Sequence, residues 1–354
     1  MSKITELTEL AVADLADDDL LLVRDTSTNT DKKIKGAVIN NKAKKPSSPT
    51  AGHLASLDAS GNLVDSGIEV RGITQFMSHN IPRYVNGVLG KDITAYYNDG
   101  TLYKRLNGTD GFSFCEDIYV GDYFQMSRAI TCPDSYQGTE GSDWVTIAGI
   151  DTLMGNGDSN IVNYHHLVMI PGKGEEGLQH FGRHAMNDTN TTEGGYAGSK
   201  MHTEVLGAVV SAGSTASGAT INQQLYAEFG SHLKPTKELL SNSINTSGYN
   251  RFGNAGGCSS NWSWASCQAV LISEVEAFGS IILSSSGYDT GTAKTRLPLF
   301  AASTKALNNR SAWWWLKDVA SAADFCRVSY DGRAYYAYAG VASLCVRPRF
   351  VLAA

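Results

Sequence analysis

The sequence predicts a mainly β protein whose C-terminal part is an α+β domain. Charged residues make up only 18% of the chain and 36 residues are glycine, a composition typical of loop-rich β architecture. Short apolar runs end repeatedly at Gly, Asn or Asp, which favour turns. With 354 residues, of which 42% are hydrophobic, the chain is long enough for two or three units with cores of their own.

Residues 1–45 are predicted to form an attachment or oligomerisation segment built on one β-hairpin. An acidic turn leads into the apolar stretch Leu20-Leu21-Leu22-Val23, and after a polar loop Lys32-Lys33-Ile34-Lys35 forms the second strand. One hairpin of this size is only marginally stable in water, so we expect it to pair with copies of itself or to dock onto a larger body. The pattern resembles the virion-proximal attachment segment of phage tail fibres.

Residues 46–111 are predicted to be a linker followed by a β-rich connector. The linker is rich in Pro and Ser. Leu54, Leu57 and Leu63 then alternate around a turn sequence at residues 58–62, which indicates a hairpin. This hairpin resembles a segment that recurs in phage tail and fibre proteins.

From residue 112 to residue 354 the sequence predicts one α+β domain. The helix candidates are residues 203–210 and 221–233, the second because Leu225 and Phe229 lie four residues apart on one helical face. A short helical turn is expected at residues 273–279, with a glycine at its end. Strands are expected at residues 117–124, 144–151 and 165–171.

The last forty residues have the composition of a recognition surface. Three consecutive tryptophans, Trp313-Trp314-Trp315, precede a stretch in which four tyrosines fall between Tyr330 and Tyr338. Tyrosine supplies a wide, rigid contact area at little entropic cost, and its hydroxyl still forms hydrogen bonds. Asp331-Gly332 is the strongest two-residue turn signal of the chain, so a hairpin is predicted around it.

A two-residue turn determines the pairing of this hairpin. It places Tyr330 opposite Arg333, Val328 opposite Tyr335, and Arg327 opposite Tyr336. The faces are then predicted to carry Val328, Tyr330, Arg333 and Tyr335 on one side, and Arg327, Ser329, Tyr336 and Tyr338 on the other. Neither face is cleanly apolar, which is typical of a hairpin projecting from a larger body. The alternative is an ordinary surface hairpin whose tyrosines pack across the strands.

The three consecutive tryptophans have two readings. They could be platforms on which a sugar stacks, or they could form the core beneath a binding surface. Indole rings bury a large apolar area, so we expect at least two of the three to be core residues.

Charge and segment patterns exclude several classes of protein. The formal charge of −6 and the pI near 5.8 argue against nucleic-acid binding, and the basic run at residues 42–45 is interpreted as a solvated linker face. The N-terminal residues lack the apolar core of a signal peptide, and no apolar stretch has the length of a membrane span. We therefore expect synthesis in the cytoplasm without membrane insertion.

Metal and cofactor sites are not predicted. The six cysteines form no CxxC pair, and we expect buried free thiols rather than a zinc site or a disulfide framework. Adjacent histidines such as His165 and His166 point to opposite faces of a strand, so a shared metal would need a third segment. The carboxylates with which calcium could bind, Asp151, Asp158 and Asp188, lack a recognised spacing.

Five short motifs in a fixed order carry a family resemblance that covers residues 112–354. They are Val120-Gly121-Asp122-Tyr123-Phe124, His165-His166-Leu167-Val168, the segment at residues 186–196, the segment at residues 273–279, and Trp314-Trp315-Leu316 followed by Val346-Arg347-Pro348. This order resembles a phage and prophage tail-domain family with a C-type-lectin-like fold related to formylglycine-generating enzymes. Members often have glycine before the Val-Arg-Pro motif, where this chain has Cys345.

In some members of that family a diversity-generating retroelement rewrites adenines in the last block, here about residues 313–350. One observation in this chain fits such diversification. Residues 318–346 contain no Lys, Glu, Gln, Met or Trp, and every residue type present can be encoded by a codon ending in C. That is the outcome expected if Asn codons were randomised at their adenines.

The resemblance implies a receptor-binding protein of a phage tail fibre or tail tip, located in the virion and recognising a bacterial surface protein or glycan. Fibres commonly self-associate, so we expect a homotrimer that contacts other tail or baseplate proteins through its N-terminus. The alternatives are a catalytic tail spike that degrades surface polysaccharide, and a purely structural fibre component. The positions that vary in the family correspond here to the candidate contact residues Asp324, Arg327, Ser329, Tyr330, Arg333, Tyr335, Tyr336, Tyr338 and Leu344.

Overall fold

A computed structural model describes residues 20–25, 30–35, 53–57, 63–69, 79–138, 140–248, 257–284, 295–308 and 312–354. The protein is mostly β, with 31% strand against 18% helix, which confirms the predicted mainly β class. Its contacts divide the chain into two compact units, Met1–Gln75 and Phe76–Ala354.

The first unit contains the two predicted hairpins. Strands β1 (Leu20–Asp25) and β2 (Thr30–Lys35) pair antiparallel, with Leu20 opposite Lys35. Strands β3 (His53–Leu57) and β4 (Leu63–Glu69) also pair antiparallel, with Leu57 opposite Leu63. Both hairpins are confirmed; the predicted linker and the turn at residues 58–62 lie outside the described residues.

The second unit holds the remaining elements. Its strands are β5 (Tyr84–Val85), β6 (Val88–Leu89), β7 (Tyr123–Thr131), β8 (Gly141–Ile150), β9 (Leu167–Pro171), β10 (Leu233–Lys234), β11 (Thr236–Asn245), β12 (Cys258–Cys267), β13 (Ala269–Leu271), β14 (Trp314–Val319), β15 (Asp324–Val328), β16 (Ala334–Tyr338) and β17 (Pro348–Leu352). Its helices are α1 (Thr94–Asn98), α2 (Leu102–Asn107), α3 (Ile221–Phe229), α4 (Glu274–Phe278), α5 (Pro298–Ala302) and α6 (Thr304–Leu307), with a π-helical turn at Met201–Leu206 and a 3₁₀ turn at Gly230–His232.

The main sheet has the strand order β10-β17-β9-β8-β7, and β13 also pairs with β17. All these pairs are antiparallel. Every residue of β9 and β17 is buried, as expected for central strands that are covered on both faces. The C-terminal strand is therefore part of the core, and the residues just before it are held close to the centre of the unit.

Residues 79–111 pack against the strands that follow them. The Ile93 amide donates to the Tyr123 carbonyl at 2.9 Å, and the Val120 amide donates to the His79 carbonyl at 2.8 Å. These residues therefore belong to the second unit. That unit begins before residue 112, where the sequence predicts the boundary of the C-terminal domain. Two short helices occupy most of residues 94–107, a stretch with no helix among the predicted elements.

Helix predictions succeed where local signals agree. Helix α3 begins at a capping box formed by Thr220 and Gln223 and ends at Phe229, four residues short of the prediction. Helix α4 also has a capping box and ends at Gly279, whose φ of 85° is left-handed. The third candidate is shifted: a π-helical turn spans Met201–Leu206 and ends at Gly207, so the prediction of a helix over residues 203–210 was wrong.

A buried ion network joins distant elements. Arg349 of β17 donates to Glu238 of β11 at 2.8 Å and to Glu276 of α4, while the Lys317 ammonium of β14 lies 3.5 Å from Glu238. Although burial opposes its ionisation, Arg349 and Lys317 hold the pKa of Glu238 below its ordinary value. Buried charges are tolerated only when paired, so this network fixes β14 against the core.

Within the described ranges no helix is long and apolar enough to cross a membrane.

Candidate recognition surface

Exposure changes across the sheet β14-β15-β16 from one strand to the next. Strand β14 is attached to the core, because the Trp315 amide donates to the Cys345 carbonyl at 3.1 Å and the Cys345 amide donates to the Trp313 carbonyl at 2.8 Å. Strands β14 and β15 are almost entirely buried. Among the strands that the structure describes, β16 pairs with β15 alone, and its three tyrosines, Tyr335, Tyr336 and Tyr338, are 49%, 45% and 56% exposed.

The hairpin of β15 and β16 closes through a three-residue loop rather than the predicted two-residue turn. The Ser329 amide donates to the Arg333 carbonyl at 2.8 Å and the Gly332 amide donates to the Ser329 carbonyl at 2.8 Å. Gly332 has a φ of 83°, so the loop is a turn followed by a glycine bulge. Glycine adopts this left-handed conformation without the clash that a side chain would cause.

The extra loop residue shifts the register by one position. Arg327 lies opposite Tyr335, and Val328 lies opposite Ala334. The predicted pairings of Val328 with Tyr335 and of Arg327 with Tyr336 were therefore wrong, as were the faces derived from them, since a one-residue slip moves each side chain to the other face. Arg327 and Tyr335 now share a face.

Two of the three tryptophans are core residues, as predicted. Trp314 and Trp315 are fully buried. Each indole N–H has a partner: Trp314 donates to the Leu307 carbonyl at 3.1 Å, and Trp315 donates to the His184 carbonyl at 2.8 Å. Trp313 differs, since it is 40% exposed. Its side chain joins the surface formed by the tyrosines, although Trp313 was not among the predicted contact residues.

Arg327 supports the exposed aromatic rings from below. Only 7% of its surface is exposed, and its guanidinium carbon lies 4.3 Å from the centre of the Trp313 ring and 4.7 Å from that of Tyr335. The same guanidinium donates to the Tyr336 carbonyl at 3.0 Å and to the Ser329 hydroxyl at 3.1 Å. Burial lowers the pKa of Arg327 from its ordinary value. The side chain thus fixes the positions of aromatic groups on two strands.

The candidate contact residues separate into two layers. Arg327, Ser329 and Leu344 are buried. Leu344 has no exposed surface, and its carbonyl accepts a hydrogen bond from the His184 amide in the core. The prediction that Leu344 is a contact residue was therefore wrong. The exposed layer, which we call the aromatic surface, consists of Trp313, Tyr330, Arg333, Tyr335, Tyr336 and Tyr338.

Two acidic groups border the aromatic surface. Asp324, which is partly exposed, accepts a hydrogen bond from the Ser321 hydroxyl at 2.5 Å. Asp331 accepts from Arg333 at 2.6 Å, and this bond lowers the pKa of Asp331 from its ordinary value. The rings of Tyr335 and Tyr336 are stacked, with centroids 5.0 Å apart and planes 7° from parallel. The surface is therefore a set of ordered rings with a charged margin.

The segment at residues 187–196 packs against the base of this hairpin, where the chain enters β15 and leaves β16. The Thr192 amide donates to the Ala322 carbonyl at 3.0 Å, and the Thr192 hydroxyl donates to the Ser321 carbonyl at 2.7 Å. The Gly340 amide donates to the Asn190 side chain at 3.1 Å. The segment and the base of the hairpin thus form one continuous region.

The cysteines show no sign of reactivity. All six are free thiols, and five of them are buried, whereas Cys258 is half-buried. Burial raises the pKa of Cys326 well above its ordinary value and that of Cys345 to about 12. Reactive thiols typically have a lowered pKa, which is the opposite of the shift at these two cysteines.

The histidines named as metal candidates have protein partners. His165 pairs with Asp151 at 2.7 Å, and the Leu153 amide donates to the His166 Nε2 at 3.1 Å. Within the residues that the structure describes, no group of three His, Cys, Asp or Glu side chains could hold a metal ion. No protein-family profile, curated protein or solved structure matches the chain, so a function has to be argued from the aromatic surface itself.

Proposed function

We propose that the chain is a phage tail-tip receptor-binding protein that holds a bacterial surface protein or glycan on the aromatic surface. The observation that carries this proposal is the concentration of exposed Trp, Tyr and Arg side chains at a sheet whose inner strands are buried. Tyr335, Tyr336 and Tyr338 lie on the outermost strand β16, Tyr330 and Arg333 lie in the loop before it, and Trp313 directly precedes β14. Soluble proteins rarely leave so many large rings together in solvent unless they bind something.

The residue types suit recognition. Binding energy at protein surfaces concentrates in a few Trp, Tyr and Arg anchors, and all three types occur in the aromatic surface. Tyrosine has few rotatable bonds, and the guanidinium of Arg327 further limits the motion of Trp313 and Tyr335. A pre-ordered surface loses less conformational entropy when a partner binds.

The proposal includes a C-type-lectin-like domain with a diversified last block, on the strength of the sequence resemblance. The layering of the hairpin supports diversification on physical grounds. Substitutions at Tyr330, Arg333, Tyr335, Tyr336 and Tyr338 change exposed atoms, and such changes typically alter stability by about 0.5 kcal/mol or less. The buried strands β14 and β15 would preserve the fold while the outer strand changes.

Assembly is part of the same proposal. The two hairpins of the first unit are too small for independent stability, which favours a homotrimer that packs them together and attaches to other tail or baseplate proteins. At the start of the second unit, the exposed side chains Ile81, Tyr84, Val85 and Val88 add apolar area suited to a subunit contact. Several copies in one virion would raise avidity without new contacts.

We infer binding rather than catalysis as the role of the C-terminal domain. The formylglycine-generating enzymes, to which the resembling family is related, use paired reactive cysteines late in the chain. The two late cysteines of this chain are Cys326 and Cys345, and burial raises the pKa of both. The exposed groups of the aromatic surface are rings and one guanidinium, which are suited to contact.

The test replaces Tyr335, Tyr336 and Tyr338 together by Ala and measures adsorption of particles carrying the variant to bacterial cells. Each ring is expected to contribute about 2 kcal/mol when it acts as an anchor, so adsorption should be lost. The matched control is Tyr136→Ala, which removes an equally exposed tyrosine elsewhere in the unit and should leave adsorption unchanged. Normal adsorption by a folded triple variant would refute the aromatic surface as the binding site.

A further inference from the structure

A polar cleft lies beside the base of the hairpin. Its volume is about 590 Å³, within the range of roughly 300–1,000 Å³ that is typical of small-molecule sites. Its walls come from three separate parts of the chain: residues 191–194, the end of β11 at residues 242–246, and Ala322. We call it the polar cleft.

A β-bulge forms one wall of the polar cleft. In the pairing of β11 with β12, Ser241 lies opposite Trp262 and Ser243 lies opposite Asn261, so Asn242 is an extra residue without a partner. Bulges of this kind bend a strand and redirect a side chain, and they are frequent next to functional sites.

Gly195 allows the segment at residues 191–194 to approach the bulge closely and to form the opposite wall of the polar cleft. The residue has a φ of 62°, and a Cβ at this position would lie 2.4 Å from the Ser241 carbonyl oxygen. Only glycine permits so close an approach. The Ala197 amide then donates to the Ser241 carbonyl at 2.9 Å, and the Tyr196 amide donates to the Ser241 hydroxyl at 3.0 Å. The segment at residues 191–196 is thereby held firmly on the bulge.

The third wall links the polar cleft to the aromatic surface. Ala322 is fixed by the hydrogen bonds from Thr192 to residues 321 and 322. Two residues later, Asp324 pairs with Tyr338, the most exposed tyrosine of β16. A chain-like ligand could therefore occupy the polar cleft and continue over the aromatic surface.

The polar groups that line the cleft, beside the apolar side chains of Ile244 and Ala322, are neutral hydroxyls, one amide and one carboxylate. They belong to Thr191, Ser243, Thr246, Asn242 and Glu193. The Asn242 side chain has no hydrogen-bond partner among the described residues, and its Oδ1 atom is buried. A buried unpaired polar atom is costly, and such atoms are frequent where a ligand or water completes the bonding.

This lining selects one class of ligand. The described residues that line the cleft include Glu193 and no Lys or Arg, a lining that disfavours phosphates and other anions. An apolar side chain of a peptide would leave the Asn242 amide unpaired. Sugar hydroxyls both donate and accept hydrogen bonds, and can therefore satisfy an amide, a carboxylate and several hydroxyls at once.

We propose that the polar cleft is a saccharide subsite that holds one neutral sugar unit of a bacterial surface glycan. The proposal rests on the proposed function, and it narrows the receptor to a glycan. Asn242 and Glu193 would hydrogen-bond to hydroxyls of the bound unit, and the neighbouring units would extend toward Tyr338.

The experiment is saturation-transfer NMR on the full-length protein with D-glucose, D-galactose, D-mannose, N-acetylglucosamine and N-acetylgalactosamine, each as a separate probe. At least one of these sugars should receive saturation. Loss of a hydrogen bond from a cleft residue should weaken binding about tenfold. The signal should therefore fall sharply in Glu193→Ala and in Asn242→Leu.

The matched control is Ser217→Ala, in a second cleft of about 540 Å³ lined by Arg128, Pro133 and Ser217. This variant should retain the full signal. Glu193 is exposed, so its variant decides the question even if Asn242→Leu does not fold. No transfer to any of the five sugars, or a signal that persists in Glu193→Ala, would overturn the proposal.

Failure of this proposal is distinguishable from failure of the proposed function. Loss of adsorption in the triple tyrosine variant, combined with no sugar binding in the cleft, would refute the saccharide subsite alone. Sugar binding that depends on Glu193, combined with normal adsorption of the triple tyrosine variant, would refute the aromatic surface alone.

Discussion

The tryptophans of β14 and the tyrosines of β16 are both dense aromatic clusters, and one strand separates them, yet their environments are opposite. Trp314 and Trp315 are fully buried, whereas Tyr335, Tyr336 and Tyr338 each expose about half of their surface. The difference shows that strand order decides exposure in this sheet. The inner strand is bonded to the core through Cys345, and the outer strand has one neighbouring strand within the part of the chain that the structure describes.

The alternation of side chains along a strand does not explain which residues of this sheet are exposed. In a sheet that covers a core with one face, exposure alternates from residue to residue. In β15 four successive residues, from Phe325 to Val328, are buried, and in β16 the adjacent Tyr335 and Tyr336 are both exposed. Strand β15 is therefore buried on both faces, whereas β16 exposes tyrosines on both of its faces.

The largest effect should come from the inner strand. Trp315→Ala removes a fully buried indole and its hydrogen bond to His184, and should reduce the free energy of unfolding by about 3–5 kcal/mol. Urea unfolding followed by fluorescence measures it, since all six tryptophans lie at Trp144 or later and report on the second unit. The control Trp313→Ala should cost clearly less, because Trp313 is partly exposed. Equal losses would contradict the layering.

An intermediate effect is expected in the middle strand. Arg327→Met keeps the aliphatic stem but removes two hydrogen bonds and the contacts with two rings, which should cost about 1–3 kcal/mol. The same urea unfolding gives the value. Arg333→Met is the matched control, since Arg333 is exposed and should change stability by about 0.5 kcal/mol or less. If both variants were equally stable, Arg327 would not support the aromatic surface.

The smallest effect belongs to the outer strand. Tyr336→Ala should change the free energy of unfolding by about 0.5 kcal/mol or less, because the ring is nearly half exposed and stacks on the exposed ring of Tyr335. The urea midpoint of this variant should stay close to that of the parent protein. A loss as large as that of Trp315→Ala would show that β16 belongs to the core.

Local sequence signals predicted the elements whose formation depends on neighbouring residues. The hairpins around residues 26–29 and 58–62, the helix after Thr220 and the turn before Gly279 follow from turn residues, capping pairs and apolar spacing. The burial of Trp314 and Trp315 was also predicted, since large indoles favour a core.

The register of the terminal hairpin was not predicted, for a reason that lies in the turn itself. Asp331-Gly332 suits a two-residue turn, but glycine at the second position also suits a three-residue loop that ends in a bulge. The two loops differ by one residue in register, and their sequences are nearly the same. Packing of Arg327 beneath Trp313 and Tyr335 is available only in the observed register, where Arg327 and Tyr335 share a face.

The sequence by itself determined the mainly β class, the hairpins, the caps and the aromatic composition of the last block, because these depend on residues that are close along the chain. Tertiary structure alone decided that Leu344 is buried, that Trp313 is exposed and that residues 191–194, 242–246 and Ala322 enclose one cleft. Burial and enclosure are produced by contacts between distant segments, such as the hydrogen bonds of Thr192 to residues 321 and 322. A pattern of neighbouring residues carries no information about which distant segment will cover them.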